Sequence, residues 1–175
     1  MDAVGIIRTM IDYSGWATKG ILAAAESLSD EELKRTMPGA GHGSLWGQLV
    51  HIVKVEIGWV IGWTGQADTQ EAAWALMGRS DRFDFHTREG LWRAFALSQA
   101  DLDTFGRGLT AEALARPFRP EQLGGLTLAD VMLQVLIHGQ HHRGETAALL
   151  TAIGHSPGDV DYLFRALDRV GVKLG

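Results

Sequence analysis

Apolar side chains recur along this chain at intervals of three and four residues, and almost nowhere does hydrophobicity alternate with period two. The pattern predicts helix throughout, in four long runs at about residues 3–28, 44–62, 87–105 and 127–153. Shorter helices are expected near 69–77 and 160–170. Local signals mark the ends. Ser29-Asp30-Glu31-Glu32 has the spacing of a capping box for a short turn after the first helix. Pro38 to Gly43 holds three glycines and reads as a loop, after which Ser44 opens the second long helix. Pro117, Pro120, Gly124 and Gly125 fall in one connection, Thr127 and Asp130 cap the fourth long helix, and Gly154 is a fitting stop. The expected fold is all-α: a four-helix bundle with long connections and a short extra C-terminal helix.

Composition narrows this picture. The 175 residues suit one domain over 1–175, with 46% apolar and 21% charged residues. The formal charge is −5 and no dense Lys/Arg stripe is present, so no nucleic-acid partner is expected. The most apolar stretch, 45–63, is about as long as a membrane span. Gln48, His51, Lys54 and Glu56 interrupt it, so a buried central helix is expected and no membrane partner. The first residues lack the basic start and apolar core of a signal peptide, which suggests a cytoplasmic location. The second helix is apolar nearly all round, more than one packed face requires, and a homodimer is expected from it. Cysteine is absent, which excludes disulfides and thiolate ligands. Any thiol chemistry would need a separate small thiol.

The seven histidines are the candidate chemistry. Leu128, Val131, Val135, His138, His142, Glu145 and Leu149 step by three or four residues, so they share one face of the fourth long helix. His138 and His142, one turn apart on a buried face, can ligate one metal ion. His141 is three residues from His138 and can replace His142 in such a pair; spacing leaves both pairs open. Two or three imidazoles within five positions of a buried face are hard to explain as core packing, because each polar nitrogen costs free energy unless paired. A third ligand is required. His42 and His155 lie in Gly/Pro-containing loops and His86 precedes the third long helix, so none has a fixed approach to that face. His51 alone lies inside a long apolar helix, among Leu49, Val50, Ile52 and Val53. Three neutral imidazoles would leave a fourth position for water or substrate, the pattern of a catalytic site.

Other polar residues carry two readings each. Glu145 either orients a ligand imidazole or acts as a catalytic base, against a plain ion pair with a cation. Arg143 lies at the site rim or faces outward. Glu56 is a supporting acid or a partner of Lys54 or an arginine. Trp16, Trp46, Trp59 and Trp63 most simply fill the core.

Two motifs resemble a known family. Gly43-Ser44-Leu45 followed by His51-Ile52, Glu56 and Trp59 is similar to the second helix of DinB-like proteins. His138-Gly-Gln-His141-His142-Arg143-Gly144-Glu145 resembles their fourth-helix signature, and Leu149-Leu150, Ile153-Gly154, Asp159 and Asp161 also fit. This chain has Glu145 where glutamine is commoner. The resemblance implies a four-helix bundle, often dimeric, with one divalent ion per chain, zinc or nickel, on His51, His138 and His142. It also implies a small-molecule substrate, in some relatives handled with a low-molecular-weight thiol. The function expected is that of a metal-dependent hydrolase or thiol transferase, or else a non-catalytic metal- or ligand-binding stress-response protein.

Overall fold

The computed structural model describes residues 1–79 and 82–172, leaving aside the side chain of Pro120. The helices among them are α1 (Ala3–Ala25), α2 (Asp30–Lys34), α3 (Leu45–Trp63), α4 (Gln70–Arg79), α5 (Arg88–Gly108), α6 (Ala111–Ala115), α7 (Pro120–Leu123), α8 (Leu128–Ala152) and α9 (Tyr162–Arg169). No strand occurs among the described residues, only an isolated antiparallel bridge between Pro117 and Thr127. The all-α class is therefore as expected. Among the four long helices, α1 and α3 each pack on both α5 and α8, an arrangement that fits a four-helix bundle. No described helix is long and apolar enough to cross a membrane.

The predicted caps form. Ser29 and Glu32 make the reciprocal capping box of α2, Thr127 and Asp130 that of α8, and Ser44 Oγ accepts from Gly47 N at the start of α3. The first helix ends at Ala25, three residues earlier than its apolar pattern suggests. There Arg88, from the first turn of α5, donates to the carbonyls of Glu26 (2.8 Å) and Leu28 (2.6 Å) and to Asp30 (2.9 Å). These bonds occupy orphan carbonyls at the helix end and turn the chain into α2.

Burial divides the interior into three zones. One apolar cluster includes Ile21, Leu22, Leu33, Leu45, Leu49, Val53, Leu91 and Leu150. A second includes Ile7, Ile11, Val60, Trp63, Leu102, Val131, Met132 and Val135. Along α1, α5 and α8, buried polar residues fall between the two sets: Ser14 and Thr18, Ser98, and Arg143 and Thr146. Glu56 of α3 joins this polar waist. Twelve of the nineteen α3 residues are buried, while Trp46, Val50, Val55 and Trp59 are partly exposed. The exposed apolar side chains sit elsewhere, for example Leu133 and Ile137 of α8 and Leu163 of α9.

Arg143 is the unexpected member of the waist. It is 1% exposed, neither at a rim nor facing outward. Its Nη1 donates to Ser14 Oγ (2.8 Å) and Thr18 Oγ1 (3.4 Å), and its Nη2 to Gln140 Oε1 (3.4 Å). The guanidinium stands 5.7 Å from the Tyr13 ring centroid. Gly139 leaves the room: a Cβ there would stand 2.9 Å from Arg143 Nη1. Glu56 pairs with neither Lys54 nor an arginine directly; it accepts from Ser98 Oγ (2.9 Å) and Gln99 Nε2. Burial pushes its carboxyl pKa up, while the Arg143 charge pulls the other way.

A buried guanidinium held by hydroxyls is costly to remove, because its partners are left unpaired in a low-dielectric interior. Arg143→Met should lower the free energy of unfolding by about 1–3 kcal/mol, the cost of leaving buried hydroxyls unpaired. Denaturant unfolding of both chains measures this, and a loss below about 1 kcal/mol would contradict the structural role described.

Candidate metal site

The histidine cluster forms where α3 and α8 pack together, beside the waist. Helical spacing puts His138 and His142 one turn apart on α8, and His51 faces them from α3. His138 Nε2 lies 3.3 Å from His51 Nε2 and 3.2 Å from His142 Nε2. The His51 and His142 ring centroids are 4.4 Å apart. His141 turns away: its side chain is 65% exposed, and its Nε2 contacts Glu145 Oε1 at 3.2 Å.

Glu145 organises one side of the cluster. Its Oε2 lies 2.8 Å from His142 Nδ1 and accepts from Gln48 Nε2 at 3.0 Å. An ionised carboxylate only accepts, so His142 Nδ1 carries the proton and its Nε2 presents a lone pair. The His142 hydrogen bond, its largest influence, holds the Glu145 carboxyl below the usual carboxylate range. Gln48 is fully buried on α3, three residues before His51. In the sequence Gln48 is only a polar interruption of an apolar helix; its partner Glu145 comes from α8.

His42 departs from expectation more sharply. The loop that carries it is closed by backbone bonds from Met37 N to Gly43 O (3.0 Å) and Gly43 N to Ala40 O (3.0 Å), with Gly43 at φ 77°. This small ring of chain lies against the first turn of α3. Gly47 permits the approach, since a Cβ there would overlap the His42 carbonyl oxygen. The His42 ring consequently stacks on His51, with centroids 3.7 Å apart and planes 21° apart, and stands 5.3 Å from the His142 ring. One ring nitrogen from each of His42, His51 and His142 lies within 4.8 Å of the others. The remaining histidines are elsewhere. His155 Nδ1 is 2.8 Å from Ser27 Oγ, and the backbone N–H of His86 donates to Asp84 Oδ1.

Two separations in the cluster, both at His138 Nε2, suit a divalent cation, whereas the nitrogens that lie within 4.8 Å of one another are those of His42, His51 and His142, a group without His138. At 2.0–2.1 Å from a tetrahedral zinc ion, two imidazole nitrogens stand about 3.3 Å apart, close to the two separations around His138 Nε2. His138 Nε2 has a single in-plane position and can serve only one neighbouring nitrogen well by hydrogen bonding. A cation instead satisfies every lone pair at once. A ligand imidazole must be neutral, and burial favours that form in part of the cluster. Burial, followed by the neighbouring imidazoles, lowers the pKa of His51 to about 4. The same causes lower His138, and burial and His142 lower His42.

These shifts set a pH dependence for the metal-free protein. A histidine whose folded pKa lies below its unfolded value of 6.5 favours folding above that pH, and the benefit is lost as pH falls through the folded value. The melting temperature should therefore drop as pH falls from about 6.5 towards about 4, and drop less steeply in His51→Ala. Thermal melts across that range check this; parallel slopes for the two chains would contradict the assignment to His51.

Comparison with known proteins adds one relationship. No curated protein and no solved structure matches the chain. The family model described as the DinB family matches residues 2–168, nearly the whole length, including every residue of the histidine cluster. The three-imidazole cluster and its helical frame thus lie in a chain that belongs to the DinB family.

Proposed function

We propose that the chain is a metal-dependent enzyme acting on a small molecule, either a hydrolase or a transferase of a low-molecular-weight thiol. The carrying observation is the convergence of His51, His138 and His142 on nitrogen separations of 3.2 and 3.3 Å, with no cysteine anywhere in the chain. A bound zinc or nickel ion would supply Lewis acidity, lowering the pKa of a water or thiol held at the fourth position. The protein's own residues fix the geometry around that position. Glu145 is a positioning residue: it holds the His142 proton on Nδ1, and Gln48 holds Glu145. An anionic partner on the far nitrogen raises the basicity of a ligand imidazole. Lacking a thiol of its own, the chain would need one delivered as a co-substrate.

His42 favours a second reading, a non-catalytic metal-binding protein of the stress-response kind. A fourth imidazole over the cluster is what a closed, structural site would use. Activity separates the two readings.

Elemental analysis after reconstitution should give about one divalent ion per chain. His51→Ala, His138→Ala and His142→Ala should each abolish tight binding, while His86→Ala and His155→Ala should not. His141→Ala should weaken it only through Glu145, by roughly tenfold. The loaded protein should then consume a low-molecular-weight thiol in the presence of carbon electrophiles, or hydrolyse activated esters and amides, and lose that activity on chelation. Stoichiometric metal without turnover in either screen would favour the second reading; no stoichiometric metal would refute both.

A further inference from the structure

A cleft of about 420 Å³ opens where α3, α5, α6 and α8 meet. That volume falls in the range of small-molecule sites, roughly 300–1,000 Å³. The cleft stands apart from the histidine cluster: Trp63 lines it, and residues 51 and 63 are about 18 Å apart along the α3 axis. The rings of Trp63, Phe105 and Phe118 make up much of the lining, together with Leu109 and Leu128. Trp63 and Phe105 stack with centroids 6.0 Å apart. The indole Nε1 of Trp63 is buried without a hydrogen-bond partner among the described residues, so one wall residue carries an unpaired donor. No aspartate or glutamate lines the cleft, although the chain holds 21 acidic residues against 16 basic ones. Its one charged lining residue is the exposed Arg116.

Hydrogen bonds fix both walls of this cleft. Arg8 of α1 donates to the carbonyls of Gly106 (2.8 Å), Arg107 (2.9 Å) and Leu109 (3.1 Å), which sets the end of α5. On the other side Phe118 N donates to Leu126 O (2.9 Å) and Leu128 N to Arg116 O (2.9 Å), flanking the bridge between Pro117 and Thr127. Arg119 pins Phe118: its Nη2 donates to Ala67 O (2.8 Å), and its guanidinium stands 5.1 Å from the Phe118 ring centroid. Arg8 and Arg119 are thus committed to carbonyls. The Arg116 side chain makes no hydrogen bond or ion pair among the described residues. A guanidinium left over at the mouth of an aromatic cleft suits a molecule with an apolar body and a carboxylate, which arginine can take with two parallel N–H groups. We propose that the cleft is a binding site for a small aromatic carboxylate, its body against Trp63, Phe105 and Phe118 and its charge on Arg116. The site is independent of the histidine cluster and of any metal bound there.

Titration calorimetry of the full-length chain with naphthylacetate, and with the uncharged naphthylethanol as its counterpart, tests this. The wild-type protein should bind about one naphthylacetate per chain, and the alcohol roughly tenfold more weakly. Arg116→Ala should bring the affinity for the acid down to that for the alcohol and leave the alcohol unaffected. Gly108→Phe should abolish binding of both, because the Cβ position of Gly108 faces open space and the added ring takes the place of the ligand. Arg116 is exposed, so its replacement is tolerated by the fold and carries the test even where Gly108→Phe does not fold. No saturable binding to the wild type, equal affinities for acid and alcohol, or acid binding that survives Arg116→Ala would each overturn the proposal. Acid affinity that falls as protein concentration rises would overturn it too, assigning the cleft to a second copy of the chain.

Discussion

The buried guanidinium of Arg143 fixes how α8 sits in the bundle, and the histidine cluster depends on that. Consecutive residues on a helix point about 100° apart. With Arg143 committed to Ser14 and Thr18 of α1, its predecessor His142 is turned towards α3, where His51 waits. A rotation of α8 that relaxed the arginine would carry His138 and His142 off the α3 seam. The charge is expensive to bury, and hydroxyls, an amide and the Tyr13 ring all face it. Such a group tolerates few alternative packings, so it specifies one orientation where a purely apolar helix face would permit several.

The polar waist extends this logic across the bundle. Apolar clusters on either side would be satisfied by many small slips of one helix along another. Ser14, Thr18, Glu56, Ser98 and Arg143 remove that freedom, because a slip of one turn would leave buried hydrogen-bonding groups unpaired. Next to the waist, a cavity of about 10 Å³ touches Ser14, Glu56, His138 and Gly139, so the inner edge of the histidine cluster and the buried acid share a wall. Site and scaffold are therefore not separable layers. The same helix segment, 138–146, supplies two histidines of the cluster, Glu145 that bonds one of them, and the arginine that holds the helix in place.

Much of this was legible in the sequence because it follows from local rules. Three-and-four periodicity located the long helices, Ser44 and Thr127 located the starts of α3 and α8, and helical spacing put His138, His142 and Glu145 on one face. What escaped is non-local. Nothing near Arg143 in sequence says that α1 will offer Ser14 and Thr18, so an arginine one residue from a ligand reads as a surface group. Gln48 shows the same limit, being a polar interruption whose purpose appears only when α8 brings Glu145 to it. His42 is the clearest case. Loop residues are normally free of the core, and the contact that seats this one is a missing side chain, Gly47, five residues away and already inside a helix. The end of α1 was missed for a related reason, since the carbonyls that close it are bound by Arg88 from another helix.

Glu145 shows how these non-local contacts constrain the chemistry. Three potential donors converge on it: His142 Nδ1, Gln48 Nε2 and His141 Nε2. A carboxylate offers acceptor positions on both oxygens and suits all three. The glutamine commoner at this point in DinB-like sequences would place an amide NH₂ on one side, facing a donor it could not accept from. The glutamate thus matches Gln48 as its partner, and the two act as a pair across the α3–α8 seam. It also brings a full negative charge to the far side of a ligand imidazole. In a neutral His142 ring it fixes the proton on Nδ1, and it would strengthen the hold of that ring on a cation. Helices α3 and α8 thus set one side of the histidine cluster, while the loop of His42 lies against Gln48 and Glu145 and stacks an imidazole on His51.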